Sequence, residues 1–98
     1  QRPVVILVLD EKFYPQYYEV LKILRDENIN SEIYPGGNLK LTKQLQYCDK
    51  NLSPVAVIIG QEEIEKNLVK FKVIQGEKNN NEFTTTKEKI INEIKKYI

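Results

Sequence analysis

Apolar positions along this chain recur with two different periods, and the changes of period divide it into elements. Val4 to Leu9 is an unbroken apolar run, the mark of a strand buried on both faces. It starts after Pro3, which a strand tolerates at its first position, and stops at Asp10. After Asp10-Glu11-Lys12-Phe13 the period lengthens. Tyr14, Tyr17, Tyr18, Leu21 and Leu24 then mark one face of a helix over 14–27, with Pro15 acceptable in its first turn. Asn28-Ile29-Asn30 ends that helix, and Ser31 to Tyr34 is a second, short strand. Pro35-Gly36-Gly37-Asn38 is a turn with two residues free to take positive φ.

The stretch 39–72 carries the densest pattern. Leu41, Leu45, Cys48 and Leu52 recur at the spacing of one buried face of a central helix, which Pro54 closes. Val55 to Ile59 is short and β-branched, as a buried central strand requires. Gly60 ends it, and a polar turn through Glu62 and Glu63 leads to an alternating strand, Leu68 to Ile74. Val69, Phe71 and Val73 fall on one face of that strand, Lys70 and Lys72 on the other, and the short connection predicts an antiparallel pair. Gln75 to Asn81 is a polar loop, and Phe83-Thr84-Thr85 adds a short edge strand. Thr85 then caps a closing helix in a capping box completed by Glu88, with Ile90, Ile91, Ile94, Tyr97 and Ile98 as its apolar face. This order predicts an α/β fold: a three-layer sandwich with a mixed, mostly parallel sheet of about five strands and helices on both faces.

Composition narrows the function. Ninety-eight residues make a single domain, 1–98; the lack of methionine and the opening Gln1-Arg2-Pro3 read as a domain excised from a longer chain. A net charge of +1 excludes a strongly basic nucleic-acid module, so any such site must come from uneven placement of charge. The absence of histidine removes His-based acid–base chemistry and most zinc sites. Cys48 stands alone, on the apolar helix face, and reads as a small buried hydrophobe in a reducing, cytoplasmic or organellar, compartment. The longest apolar run is far too short to span a bilayer, so no membrane is expected among the partners.

Catalysis finds little support. Adjacent carboxylates at Asp10-Glu11, Asp26-Glu27 and Glu62-Glu63 point apart along a chain and lack a base partner. Neither a P-loop nor a nucleophile elbow is present, and the glycine turn lacks the GxGxxG spacing. No catalytic site, metal or cofactor is therefore expected in these residues. Nucleic acid fits better. Lys40, Lys43 and Lys50 lie on the central helix, and Lys43 and Gln44 sit early in it, beside the glycine turn. Glu63 would accept hydrogen bonds from base amino or imino groups, and Lys72 would meet a phosphate or a base oxygen. Acid and base side by side suit the reading of single-stranded bases, whose edges are exposed. The same residues also fit a solvated helix face and an ordinary turn carboxylate. The tyrosines over 14–18 read as core, with a base-stacking platform as the alternative.

The segments GGNLKLTKQLQYCDK, SPVAVIIGQEE and VKFKVI resemble the carboxyl-terminal anticodon-binding domain of class IIa aminoacyl-tRNA synthetases. Gly60-x-x-Glu63 with a cation nine residues on, at Lys72, is shared across that group. Lysine there, where the prolyl and threonyl branches use arginine, resembles the histidyl branch, as do the glycine turn and the Lys43-Gln44 pair. Two departures stand out: a pair of residues inserted between the glycine turn and Lys43, and Cys48 in place of the usual alanine. The resemblance implies a parent ligase, a homodimer, that activates histidine with ATP and magnesium in a separate catalytic domain and esterifies it to its tRNA. It implies that this domain docks on the anticodon stem-loop, with Glu63 and Lys72 as base readers and Asn38, Lys40, Lys43 and Gln44 along the approach from the turn. Two alternatives stay open. One is the same fold as a regulatory or accessory module of a non-synthetase protein; the other is a dimer-support module using the tyrosine helix.

Overall fold

The amino-terminal apolar run forms β1 (Val4–Ile6), whose three side chains are completely buried. In the computed structural model, which describes residues 2–76 and 81–98, the other strands are laid out around it. β2 (Ser31–Ile33) and β3 (Val55–Ile58) pair with β1 in parallel, one on each side. β4 (Leu68–Val73) is antiparallel to β3, and β5 (Glu82–Thr86) is antiparallel to β4. The five strands follow the order β2-β1-β3-β4-β5, and β4 alone runs against the rest. The sheet is mixed and mostly parallel, as the element order predicts.

α1 (Tyr14–Asp26) and α2 (Leu41–Lys50) are crossovers that step in opposite directions, from β1 to β2 and from β2 to β3. Right-handed connections therefore put them on opposite faces of the sheet. α3 (Gln61–Lys66) links β3 to β4, and α4 (Ile90–Ile94) follows β5 and ends in a 3-10 turn at Lys95–Tyr97.

The register sorts the two faces. Ile33, Ile6, Val57, Phe71 and Phe83 stand side by side across all five strands, an apolar row on one face. Tyr97 packs on its end, with ring centroids 6.0 Å from Phe71 and 5.6 Å from Phe83. The neighbouring row, on the other face, is Glu32, Val5, Ala56, Lys72 and Glu82. The Tyr47 hydroxyl on α2 donates to Glu32 Oε1 at 2.9 Å, so α2 lies on this second face. The helix packs on the side of the sheet that includes β3, while Lys70 and Lys72 on β4 stay half-buried and Thr84 on β5 is exposed.

Several expectations change. The predicted buried face of the central helix fails at both ends: Leu41 is 42% exposed and Leu52 50%. Leu41 is the first helical residue, and the chain has left the helix by Leu52, which takes φ 56°. The residues α2 buries completely are Gln44 and Cys48. The polar turn after Gly60 is the helix α3, closed by Asn67 in the left-handed region at φ 57°. Thr85 caps nothing, because β5 continues through it to Thr86, paired with Leu68, and the closing helix begins only at Ile90. The first strand stops pairing at Ile6, although Leu7 and Val8 remain fully buried. Of the loop 75–81, residues 77–80 lie outside those described.

Neither Gly36 nor Gly37 takes a positive φ. Gly36 is instead needed for contact: a Cβ there would overlap the hydroxyl end of the Tyr34 ring. That ring is held edge-on against Tyr47 at 5.3 Å. The tyrosines of α1 divide. Tyr17 is completely buried, its hydroxyl accepting from the backbone N–H of Leu9 at 3.0 Å and of Asp10 at 3.3 Å. Tyr18 is 59% exposed.

Candidate nucleic-acid interface

The end of β3 and the start of α3 position the acidic group. Gly60 is extended, at φ −113° and ψ −172°, and serves as the N-cap of α3. Having no side chain, it cannot satisfy the helix's first amides, and the carboxylate three residues on works in the reverse direction. Glu63 Oε1 accepts from Gly60 N–H at 2.7 Å, the returning half of a capping box. This bond folds Glu63 back against the strand end and leaves it only 9% exposed. Among the described residues no hydrogen bond engages Oε2, so one carboxylate oxygen remains for a ligand.

Beside Glu63, between α3 and the open face of β4 and β5, lies a cleft of about 320 Å³. Its charged lining is Glu62, Glu63, Lys66 and Lys70, and Thr84 adds a hydroxyl. Lys66 is engaged by Glu62 at 2.9 Å; this exposed pair holds the Glu62 carboxyl below its ordinary range and the Lys66 ammonium above its own. Lys70 meets Glu82 only at 3.9 Å, a loose contact that leaves its ammonium available. Lys72 sits one row further along the same face, between Ala56 and Glu82 in the register, with no ion pair among the described residues. With Lys66 held by Glu62, the cation that this cleft offers beside Glu63 is Lys70, which the sequence placed on the same face as Lys72 without assigning it a role.

The approach from the turn is exposed. Asn38 Oδ1 accepts from Lys40 N–H at 2.9 Å, an Asx-type turn that leads into α2, and both Lys40 and Lys43 point no charge at the core. Gln44 departs from its predicted place. It is completely buried, and both polar atoms of its amide are engaged: Oε1 accepts from Val8 N–H and Nε2 donates to the Val8 carbonyl, each at 2.7 Å. A side chain in that position offers no group to a base.

The remaining titratable groups nearby are structural. Burial pushes the Cys48 thiol up to about 12, helped by the Glu32 charge. Burial, and then the hydrogen bond to Glu32, raises Tyr47 to about 12. No group of three His, Cys, Asp or Glu gathers as a metal site among the described residues. No helix among them is long and apolar enough to cross a membrane.

Both the sequence and the fold have relatives. Residues 3–97 match the family model described as the anticodon binding domain. The chain belongs to the anticodon-binding domain family. Over 99 aligned residues, covering 100% of the chain, it is 50% identical to the histidine–tRNA ligase of Pelagibacter ubique. It is 39% identical over 74 residues, 74% of the chain, to the histidine–tRNA ligase of Flavobacterium johnsoniae. The chain spans 21% and 15% of the lengths of these two relatives. The crystal structure of histidyl-tRNA synthetase from Nostoc sp. PCC 7120 superimposes on 98% of this anticodon-binding domain with a TM-score of 0.86, at 24% identity and over 22% of that chain. The α/β fold expected from the element order is therefore that of a solved relative.

Proposed function

We propose that this domain reads the anticodon of a histidine tRNA within a longer, cytoplasmic histidine–tRNA ligase. What carries the reading is the 50% identity over the whole chain to the Pelagibacter ubique ligase. In this reading the parent is a homodimer, and its catalytic domain binds ATP, magnesium and histidine. The present residues contribute recognition alone.

Unstacked loop bases lie over the face of β4 and β5 that carries Lys70, Lys72 and Thr84. The free oxygen of Glu63 accepts from base N–H groups, while Lys70 and Lys72 meet base oxygens or phosphate. Asn38, Lys40 and Lys43 guide the strand from the exposed turn. Gln44 supports the interface from beneath by fixing α2 to the end of β1.

The test is binding of the chain to a histidine-tRNA anticodon stem-loop and to a scrambled loop, at two salt concentrations. Affinity for both falls as salt rises, because phosphate contacts release counterions. The preference for the native loop persists, because base contacts do not depend on counterions. Equal, salt-sensitive binding to both loops overturns the proposal.

A further inference from the structure

At the end of the sheet opposite Gly60 and Glu63 lies a separate cleft of about 240 Å³. Arg2 precedes β1, Pro54 precedes β3 and Gln75 follows the antiparallel β4, so these three lining residues mark the amino end of the parallel strands. Leu52, Tyr97 and Ile98 complete the lining. Leu52 is 50% exposed and Ile98 45%, so two of the five large apolar side chains exposed among the described residues meet here.

Leu52 is also an unusual residue for its backbone. Ser53 N–H donates to the Cys48 carbonyl at 2.9 Å and Leu52 N–H to the Asp49 carbonyl at 3.1 Å, the closing bonds of a Schellman motif. Leu52 holds the left-handed position of that motif at φ 56°. Glycine or asparagine adopts this conformation readily, whereas a bulky apolar side chain is strained in it. Half of the Leu52 side chain remains in water, so burial within the domain does little to offset the strain. A surface outside the domain would supply the missing burial.

The chain ends indicate what that surface is. These residues span 21% of the Pelagibacter ubique ligase and 22% of the Nostoc synthetase, so in such a parent about four-fifths of the polypeptide lies outside them. Arg2 and Ile98, the first and last described residues, both line this cleft. Chain attached at either end therefore leaves from its rim, and a short tether holds it there at millimolar effective concentration.

We propose that the amino-end cleft is a docking surface for the remainder of the parent's own chain, which seats an apolar side chain against Leu52, Tyr97 and Ile98. The proposal rests on the reading above only in taking these residues as part of a longer ligase. It puts the contact at the opposite end of β3 from the proposed anticodon interface, so both surfaces can be occupied at once.

The test is hydroxyl-radical footprinting, read by mass spectrometry, of the full-length parent without RNA and of the domain alone. Leu41, 42% exposed at the other end of α2, is the reference side chain. Oxidation of Leu52 and Ile98 is expected to be about tenfold slower in the parent than in the domain, a factor that burial of one leucine supports, with Leu41 unchanged. Leu52→Asn keeps a residue suited to the left-handed backbone and removes the apolar side chain. It should leave the domain at least as stable as wild type, yet raise Ile98 oxidation in the parent about tenfold. Leu52 and Ile98 oxidised as fast in the parent as in the domain overturn this proposal and leave anticodon reading standing. A Leu52→Asn domain that is destabilised, with Ile98 in the parent still protected, overturns it in favour of a role in the fold alone. Protection in the isolated domain that grows with its concentration overturns it in favour of a second copy. Loss of preference for the native stem-loop overturns the functional reading and leaves this contact standing.

Discussion

Gln44 acts as a strand partner for Val8. Its side-chain amide makes the two hydrogen bonds that a neighbouring backbone would make, both at 2.7 Å and across 36 residues of sequence. Val8 lies past the last paired residue of β1, completely buried, where its N–H and C=O have no strand to bond. Gln44→Leu would leave both groups unpaired. Each orphan costs about 1–3 kcal/mol, so the unfolding free energy should fall by about 3 kcal/mol in urea melts. Stem-loop affinity of the fraction that remains folded should change little.

Glu63 serves both the fold and the proposed interface, and two substitutions separate them. Glu63→Ala removes the acceptor for Gly60 N–H and should cost about 1 kcal/mol of stability, the usual worth of a cap, as well as binding. Glu63→Gln keeps an oxygen for Gly60 and removes the charge. It should unfold near the wild-type temperature while losing about tenfold in affinity for the native loop. Thermal melts and stem-loop titrations of the two variants provide the check.

The two turn glycines should respond differently to alanine. At Gly36 a Cβ meets the Tyr34 ring, which Tyr47 hems in, and overpacking of this kind costs about 1–3 kcal/mol. At Gly37 nothing lies within 4 Å and φ is not positive, so alanine should alter stability by no more than about 0.5 kcal/mol. Denaturant melts of the pair measure this.

Stability should decline at alkaline pH. The Cys48 thiol is raised by burial from 9.0 to about 12, and Tyr47 from 10.0 to about 12. Above pH 9 the unfolded chain gives up protons that the folded one keeps. The stabilisation is therefore complete below about pH 9 and is lost as pH rises towards 12. Urea melts from pH 7 to pH 11 should show this fall, and Cys48→Ala should flatten its first part, below the onset of Tyr47. A thiol reagent at pH 8 should label Cys48 only once the chain unfolds.

Most of the scaffold could be read from the residue pattern. The period-2 alternation of Val69, Phe71 and Val73 gave both the strand and its buried face, and the β-branched run Val55 to Ile58 gave the central strand. The α3 helix carries a weaker signal: Gly60 followed three residues later by Glu63 is a helix-start spacing, but the segment buries little besides Glu63 and so has the pattern of a polar turn. The errors at Leu41 and Leu52 have one cause. Apolar spacing assumes a helix as long as the pattern, whereas only residues in the turns facing the sheet are covered.

By itself, the sequence determined most of the elements, the buried faces of the strands and the family, since these depend on neighbours a few residues apart or on the order of motif residues along the chain. Tertiary structure alone decided what individual polar side chains do. Gln44 and Lys43 are adjacent and equally polar, yet one is sealed against Val8 and the other is exposed. The partner that decides this lies 36 residues away, and no local pattern encodes that distance. For the same reason Lys70 joins Glu63 in a cleft. Hydrogen-bond partners and clefts are properties of the assembled sheet and its covering helices, because burial removes the water that would otherwise satisfy each polar group.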